Sequence, residues 1–210
     1  MPAPSAAQAW SLVRDPSHFQ WYVIPIFFTV VYVYACEVER RNWSAILAGL
    51  TFWGLDWFNE IWNGLVFHFT NYAPAWGTPG GSAYVILIGL NIEISLMFAF
   101  FGIMWVKQLP RDRGLRILGM PNRLFVAIVA AALCLFVEYL LNAIGALTWE
   151  WPWWNRSAPW LIFLCGYFYW FVVGFWVYDM ASMRRKVLIV AAIYVVDLAA
   201  LLTFIPLGWI

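Results

Sequence analysis

Six long apolar runs, each bounded by charge or by Pro/Gly clusters, constrain this chain more than any other feature. They fall at about 19–37, 44–68, 84–106, 124–146, 159–179 and 187–207. A helix needs roughly 20 apolar residues to cross a bilayer, so each run is expected to form one transmembrane helix. In 210 residues, six crossings leave only short loops and tails. Residues 1–210 therefore read as a single transmembrane domain, with 1–18 as an interfacial lead-in. The expected fold class is all-α, a polytopic membrane helix bundle, integral and multi-pass. The composition agrees, with 64% hydrophobic and 11% charged residues and a mean hydropathy of +0.75, far from an ordinary soluble domain. The lead-in has no basic start followed by a long apolar run, so it is not expected to be a cleavable signal.

Charge sets the expected orientation. Arg40 and Arg41 follow the first run; Lys107, Arg111, Arg113, Arg116 and Arg123 follow the third; Arg184, Arg185 and Lys186 follow the fifth. By the positive-inside rule that side is cytoplasmic, with both termini on the other. The net charge of +1, with no basic arm, excludes the electrostatic footprint of a nucleic-acid partner. Cys36, Cys134 and Cys165 are widely spaced and odd in number, which suits apolar fillers better than disulfides or a zinc site.

Residues 71–84 (NYAPAWGTPGGSAY) and 148–160 (TWEWPWWNRSAPW), on the non-cytoplasmic side, are rich in Trp, Pro and Gly. An interfacial aromatic belt accounts for such loops. A lid is the alternative, because Trp149, Trp151, Trp153 and Trp154 supply more aromatic surface than anchoring one loop requires.

The acids inside the runs carry the functional signal, since an ionisable group near mid-bilayer is expensive to insert. Asp56, Asn59, Glu60 and Asn63 are spaced i, i+3, i+4, i+7 and share one helical stripe. Glu138 and Asn142 share a face of the fourth run; Asn91 and Glu93, two apart in the third, face differently; Asp197 lies near the middle of the sixth. Counted from the run ends, these groups fall at similar depth, which suggests a polar chamber closed by the Trp-rich loops. Asn and other polar residues also simply bond helices together in membranes. Helix bonding alone does not call for so many carboxyls with no Lys or Arg at their depth. A desolvated carboxyl without a cation favours its neutral form, and a neutral carboxyl can donate a proton.

No metal and no cofactor is expected. The Glu-x-x-His pairs of di-iron bundles, aspartate-rich diphosphate motifs, G-x-x-x-x-G-K-[ST] and G-x-S-x-G are all missing. His18 and His68 lie near the outer ends of the runs, where a ligand role is the lesser alternative. Aromatic residues make up 20% of the chain, and Trp57, Trp62, Tyr139, Tyr167 and Trp170 fall near chamber depth. Acids and aromatic faces together suit protonation of an alkene or epoxide, with the carbocation stabilised by cation–π attraction in a water-poor site. The implied partners are a hydrophobic lipid or isoprenoid substrate and the membrane lipids.

The segment Trp57-Phe58-Asn59-Glu60-Ile61-Trp62-Asn63, with Val195-Val196-Asp197-Leu198 and Pro206, resembles the small integral-membrane terpene cyclases of meroterpenoid pathways. The resemblance covers about 20 residues plus overall size. It implies an all-helical, metal-independent enzyme with catalytic roles at Glu60 and Asp197. That family has seven spans where six runs are counted here, and Asp56, Glu93 and Glu138 are additional acids. On this reading Glu60 or Asp56 donates the proton, Asp197 and Glu138 assist, and Asn59, Asn63, Asn91 and Asn142 orient them. A proton-coupled transporter or ion pathway would use the same carboxyls. An inverted repeat is its test: Glu93 matches Asp197 across the two halves, but Asp56 and Glu60 find no partner in the fifth run. A non-catalytic subunit of a larger complex and a sterol-type isomerase are further alternatives.

Overall fold

The computed structural model describes all 210 residues, with seven helices: α1 (Pro4–Ser11), α2 (Val23–Glu39), α3 (Trp43–Thr70), α4 (Ile92–Lys107), α5 (Asn122–Ala143), α6 (Pro159–Asp179) and α7 (Met183–Phe204). Two short antiparallel hairpins pair β1 (Val85–Leu87) with β2 (Leu90–Asn91) and β3 (Arg116–Ile117) with β4 (Met120–Pro121). Helices α2 to α7 run alternately up and down. One end gathers the basic loops; the other, the capped end, gathers the Trp-rich loops and α1. Three helices, α5, α6 and α7, are long and apolar enough to cross a membrane by length and composition.

Helix α3 is the axis of the bundle and packs on α4, α6 and α7. Its 28 residues span about 42 Å at 1.5 Å per residue. Asn42 caps its start through its side chain, and Asn71 ends it in the left-handed region at φ 50°. The bundle tightens around Phe52. A methyl group at Gly102 would stand 2.5 Å from that ring, and one at Gly174 2.7 Å from its Cδ2, so only glycine admits it. Phe171 meets the ring edge-on at 5.0 Å, and Phe175 at 6.3 Å completes the plug. The lateral surface is bare and apolar, with Val195 and Leu202 of α7 66% and 68% exposed. A continuous surface of that kind suits lipid, not water.

Helix ends differ from the run boundaries for local reasons. The third run was expected to begin at 84, but β1 and β2 occupy its first residues, and the Asn91 side chain caps α4 by accepting from Ile94 N at 2.8 Å. The fourth ends early, at Ala143, because Gly145 takes a left-handed φ of 76°. The sixth starts early, at Met183, because Ser182 caps it, accepting from Arg185 N. The lead-in is more than interfacial packing. Ala3 N donates to Tyr72 O, Gln8 to Pro79 O, and Arg14 to Ile86 O and Ile210 O, which binds it across the cap.

Candidate functional site

A cavity of about 190 Å³ lies between α3, α4, α5 and α6 beneath the cap. Its wall includes Asp56, Asn59 and Glu60 of α3, Glu138 of α5, and Tyr167 and Trp170 of α6. The polar stripe anticipated on α3 is buried along its whole length: Asp56, Asn59, Glu60 and Asn63 are all 8% exposed or less.

Each Glu is held by one fixed donor. Trp76 Nε1 donates to Glu60 Oε1 at 2.9 Å, and Trp149 Nε1 donates to Glu138 Oε1 at 3.2 Å. The second oxygens, Glu60 Oε2 and Glu138 Oε2, are buried without a partner, as is Asp56 Oδ2. The indole Nε1 atoms of Trp170 and of Trp154, a further wall residue, also lack acceptors. No Lys, Arg or His belongs to the wall. Buried polar atoms rarely stay unpaired, so such a cluster marks a place for a ligand or water.

The two Trp-rich loops act as a lid, joined by the Gly77–Thr148 bridge. Trp76 and Trp154 stack at 5.3 Å over the cavity. Asn63 fixes that lid from α3: its Oδ1 accepts from Ala75 N and Trp76 N, and its Nδ2 donates to Trp76 O at 2.7 Å. Gly89, in the turn of the first hairpin, presses its backbone against the same group; a methyl there would lie 2.6 Å from both Glu60 Oε2 and Trp76 Nε1. Trp153 and Trp160 stay exposed.

Asn59 serves α6. Residues Ile162–Phe168 form a π-helical segment, whose wider turn frees carbonyls from the usual ladder. Asn59 Nδ2 donates to the Cys165 and Gly166 carbonyls at 3.3 and 3.4 Å, and Tyr169 OH donates to Asn59 Oδ1 at 2.6 Å. This register turns Tyr167 and Trp170 to the cavity.

Several expected site residues lie elsewhere. Asn91 is the α4 cap, and Glu93 sits in the first turn of α4, accepting from Ala83 N and Tyr22 OH, because the hairpin moves the helix start. Asn142 donates to Leu147 O at the end of α5. Trp57 packs beside Ile61 and Ile210 on another face of α3, Trp62 is 40% exposed outside the Trp76–Trp154 stack, and the Tyr139 ring lies against Trp149. Asp197 is buried with both oxygens unpaired but is not part of the wall; it faces α3 near Gly54, within electrostatic reach of Asp56. His68 is stacked on Trp209 at 4.7 Å, which uses its ring in packing. The residues missed from sequence are Trp76 and Gly89; Trp149 was expected in a lid, but not as the partner of Glu138. The only signal for Trp76 was the Trp and Gly content of its loop, and Gly89, inside the third apolar run, had none.

Comparison with known proteins matches residues 3–206 to an uncharacterized membrane protein family. The chain belongs to that family. An uncharacterized protein of Archaeoglobus fulgidus is 52% identical over 211 residues, covering both chains completely. A second protein of the same organism, also uncharacterized, is 45% identical over 53 residues, covering 25% of this chain and 95% of its own length. No solved structure matches. Membership in a membrane protein family agrees with the lipid-suited flank of the bundle and places the cavity in a membrane-bound fold.

Proposed function

We propose that this family member is a multi-pass membrane enzyme, with α2 to α7 as six crossings and the basic end cytoplasmic, that cyclises or isomerises a hydrophobic isoprenoid by proton transfer. The observation that carries this reading is the set of cavity carboxyls, each Glu clamped through one oxygen by an indole and offering the other, with no cation among them. Helices α2 and α4, of 17 and 16 residues, are short for a crossing, but their connecting segments add to the thickness spanned. Helix α3 is sheathed by its neighbours, so its polar stripe need not meet lipid.

The chemistry balances within the site. Glu60 gives its proton to a substrate double bond: its O–H bond breaks, a C–H bond forms, and the adjacent carbon becomes cationic. Phe98, Phe101, Tyr167 and Trp170 supply aromatic faces around that charge. Loss of a proton from the neighbouring carbon to the Glu138 carboxylate restores a double bond, after ring closure if a second alkene attacks first. The proton then returns from Glu138 to Glu60, and no redox partner is consumed. An oxygen at the reacting end would accept from the free indoles of Trp154 or Trp170. Asp197, behind Asp56, is assigned only a reserve of protons. The resemblance to small membrane terpene cyclases agrees with this scheme at Glu60 but not at its second acid, since it implies Asp197, which lies outside the wall.

The Phe52 plug closes the bundle between the acids and the basic end, which favours an enclosed reaction site over a proton-coupled transporter. Mass spectrometry of lipids from cells making wild type, Glu60→Gln or Glu138→Gln, supplied with linear prenylated precursors, tests the proposal. A new product lost in both variants supports it. Identical lipid profiles overturn it and would turn attention to proton flux in liposomes.

A further inference from the structure

We infer that the substrate enters through the side of the bundle, chain end first, through an opening between α4 and α5, and that only its terminal segment reaches the acids while the rest of the chain remains in the bilayer. This deepens the proposed function and rests on it for the chemistry, though not for the binding. Helices α4 and α5 are consecutive in the chain yet barely touch: α4 packs on α3 and α2, and α5 on α6. Met97 and Phe101 of α4 and Leu133 and Val137 of α5 border the resulting gap, and all four belong to the cavity wall. Met97, Leu133 and Val137 are also 36%, 47% and 41% exposed, so the same side chains face the cavity and the outside.

The other directions are shut. The Trp76–Trp154 stack covers the cavity above, and Phe52, Phe171 and Phe175 fill the bundle below. Counted from the capped ends of α4 and α5, the bordering residues lie five to ten positions in, or about 8–15 Å at 1.5 Å per residue. That depth faces acyl chains, not headgroups. A polar head would have to leave its hydration to arrive there, whereas a chain end is already in place. The volume sets the second limit. About 190 Å³ is close to the roughly 150 Å³ of a cavity that holds one benzene and below the roughly 300–1,000 Å³ of sites that enclose whole ligands. The site therefore takes a ring-sized portion of a long unbranched or isoprenoid chain. A folded polycycle or a complete lipid does not fit.

The test uses the full chain in lipid nanodiscs with two photoreactive hexadecanols, one bearing a diazirine at the terminal carbon and one beside the hydroxyl. Peptide mapping should find the terminal probe on residues 94–101 and 133–141 and the other probe outside the cavity. Leu133→Trp and Val137→Trp, which narrow the opening, should cut terminal labelling at least fivefold, while Phe136→Trp, on the same helix but away from the gap, leaves it unchanged. Equal labelling of the cavity by both probes, or labelling indifferent to Leu133→Trp and Val137→Trp, overturns the inference. Glu60→Gln should keep the labelling pattern. In the wild type, terminal labelling without any lipid product refutes the chemistry alone, and a product without terminal labelling refutes the route alone.

Discussion

At the basic end, Glu37 and Asp179 each meet two cations, whereas in the capped half Asp56, Glu60 and Glu138 meet none. Glu37 is 1% exposed yet accepts from Lys107 Nζ at 2.5 Å, Asn42 Nδ2 at 2.7 Å and Arg40 Nη1 at 3.4 Å. Asp179 pairs with Arg123 at 2.8 Å and Arg113 at 3.2 Å, not with the adjacent Arg184, Arg185 and Lys186. These carboxylates tie loops to helices, so their worth is structural. Of the cavity acids, Glu60 and Glu138 are each held by a neutral indole through one oxygen, an arrangement that orients a carboxyl without neutralising it. Burial alone thus does not separate a structural acid from a candidate catalytic one; the charge of its partners does.

Exchanging the functional groups at both places gives the strongest test of that distinction. Glu60→Gln keeps the acceptor for Trp76 and the shape of the wall, so stability should change little while the proposed product falls by about 10²–10⁴-fold, the usual share of a positioned general acid. Product mass spectrometry beside thermal unfolding in detergent reads both quantities. Loss of folding with loss of product would make Glu60 a structural acid like Glu37. Next in size is Phe52→Ala, which empties the plug and should lower stability by about 3–5 kcal/mol; in liposomes it should also raise proton leak if the plug is what seals the acids from the basic end. Glu37→Ala should cost about 1–3 kcal/mol by stranding Asn42 and Lys107, with product formed normally by the protein that remains folded. A Glu37 variant that folds well but makes no product would erase the contrast.

Much of this was legible in the sequence because it is local. The i, i+3, i+4, i+7 stripe of α3 is a property of one helix, and it is buried as its spacing demands. The six apolar runs contain six long helices for the same reason. What sequence did not show depends on chain distance. Trp76 reaches Glu60 across 16 residues and a loop, Asn59 holds the π segment 106 residues away, and Val85 pairs with both Asn91 and Val13. The Val85–Asn91 pairing makes residues 85–91 a hairpin and carries Asn91 and Glu93 out of the chamber, which no periodicity reports. Asp197 shows the limit of depth counting: it is at the right level but behind the wall.

A third acid, Asp15, provides the smallest and most local comparison, because water reaches it freely. Its Oδ1 accepts from Ser17 N at 2.9 Å, and that backbone hydrogen bond, more than the nearby His18, holds its pKa below the ordinary aspartate value. A depressed carboxyl stabilises the fold above its unfolded pKa, and the contribution fades as pH drops through the folded one. The short turn at Pro16–His18 should accordingly loosen below about pH 4, seen as faster exchange of the Ser17 amide, and Asp15→Asn should remove most of that pH dependence. The Trp76 and Trp149 indole signals should stay constant over the same window, since their acceptors are sealed from water. If those indoles shift together with Ser17, the cavity acids exchange protons with the outer solution as readily as Asp15 does, and the enclosed site proposed here would have to be an open one.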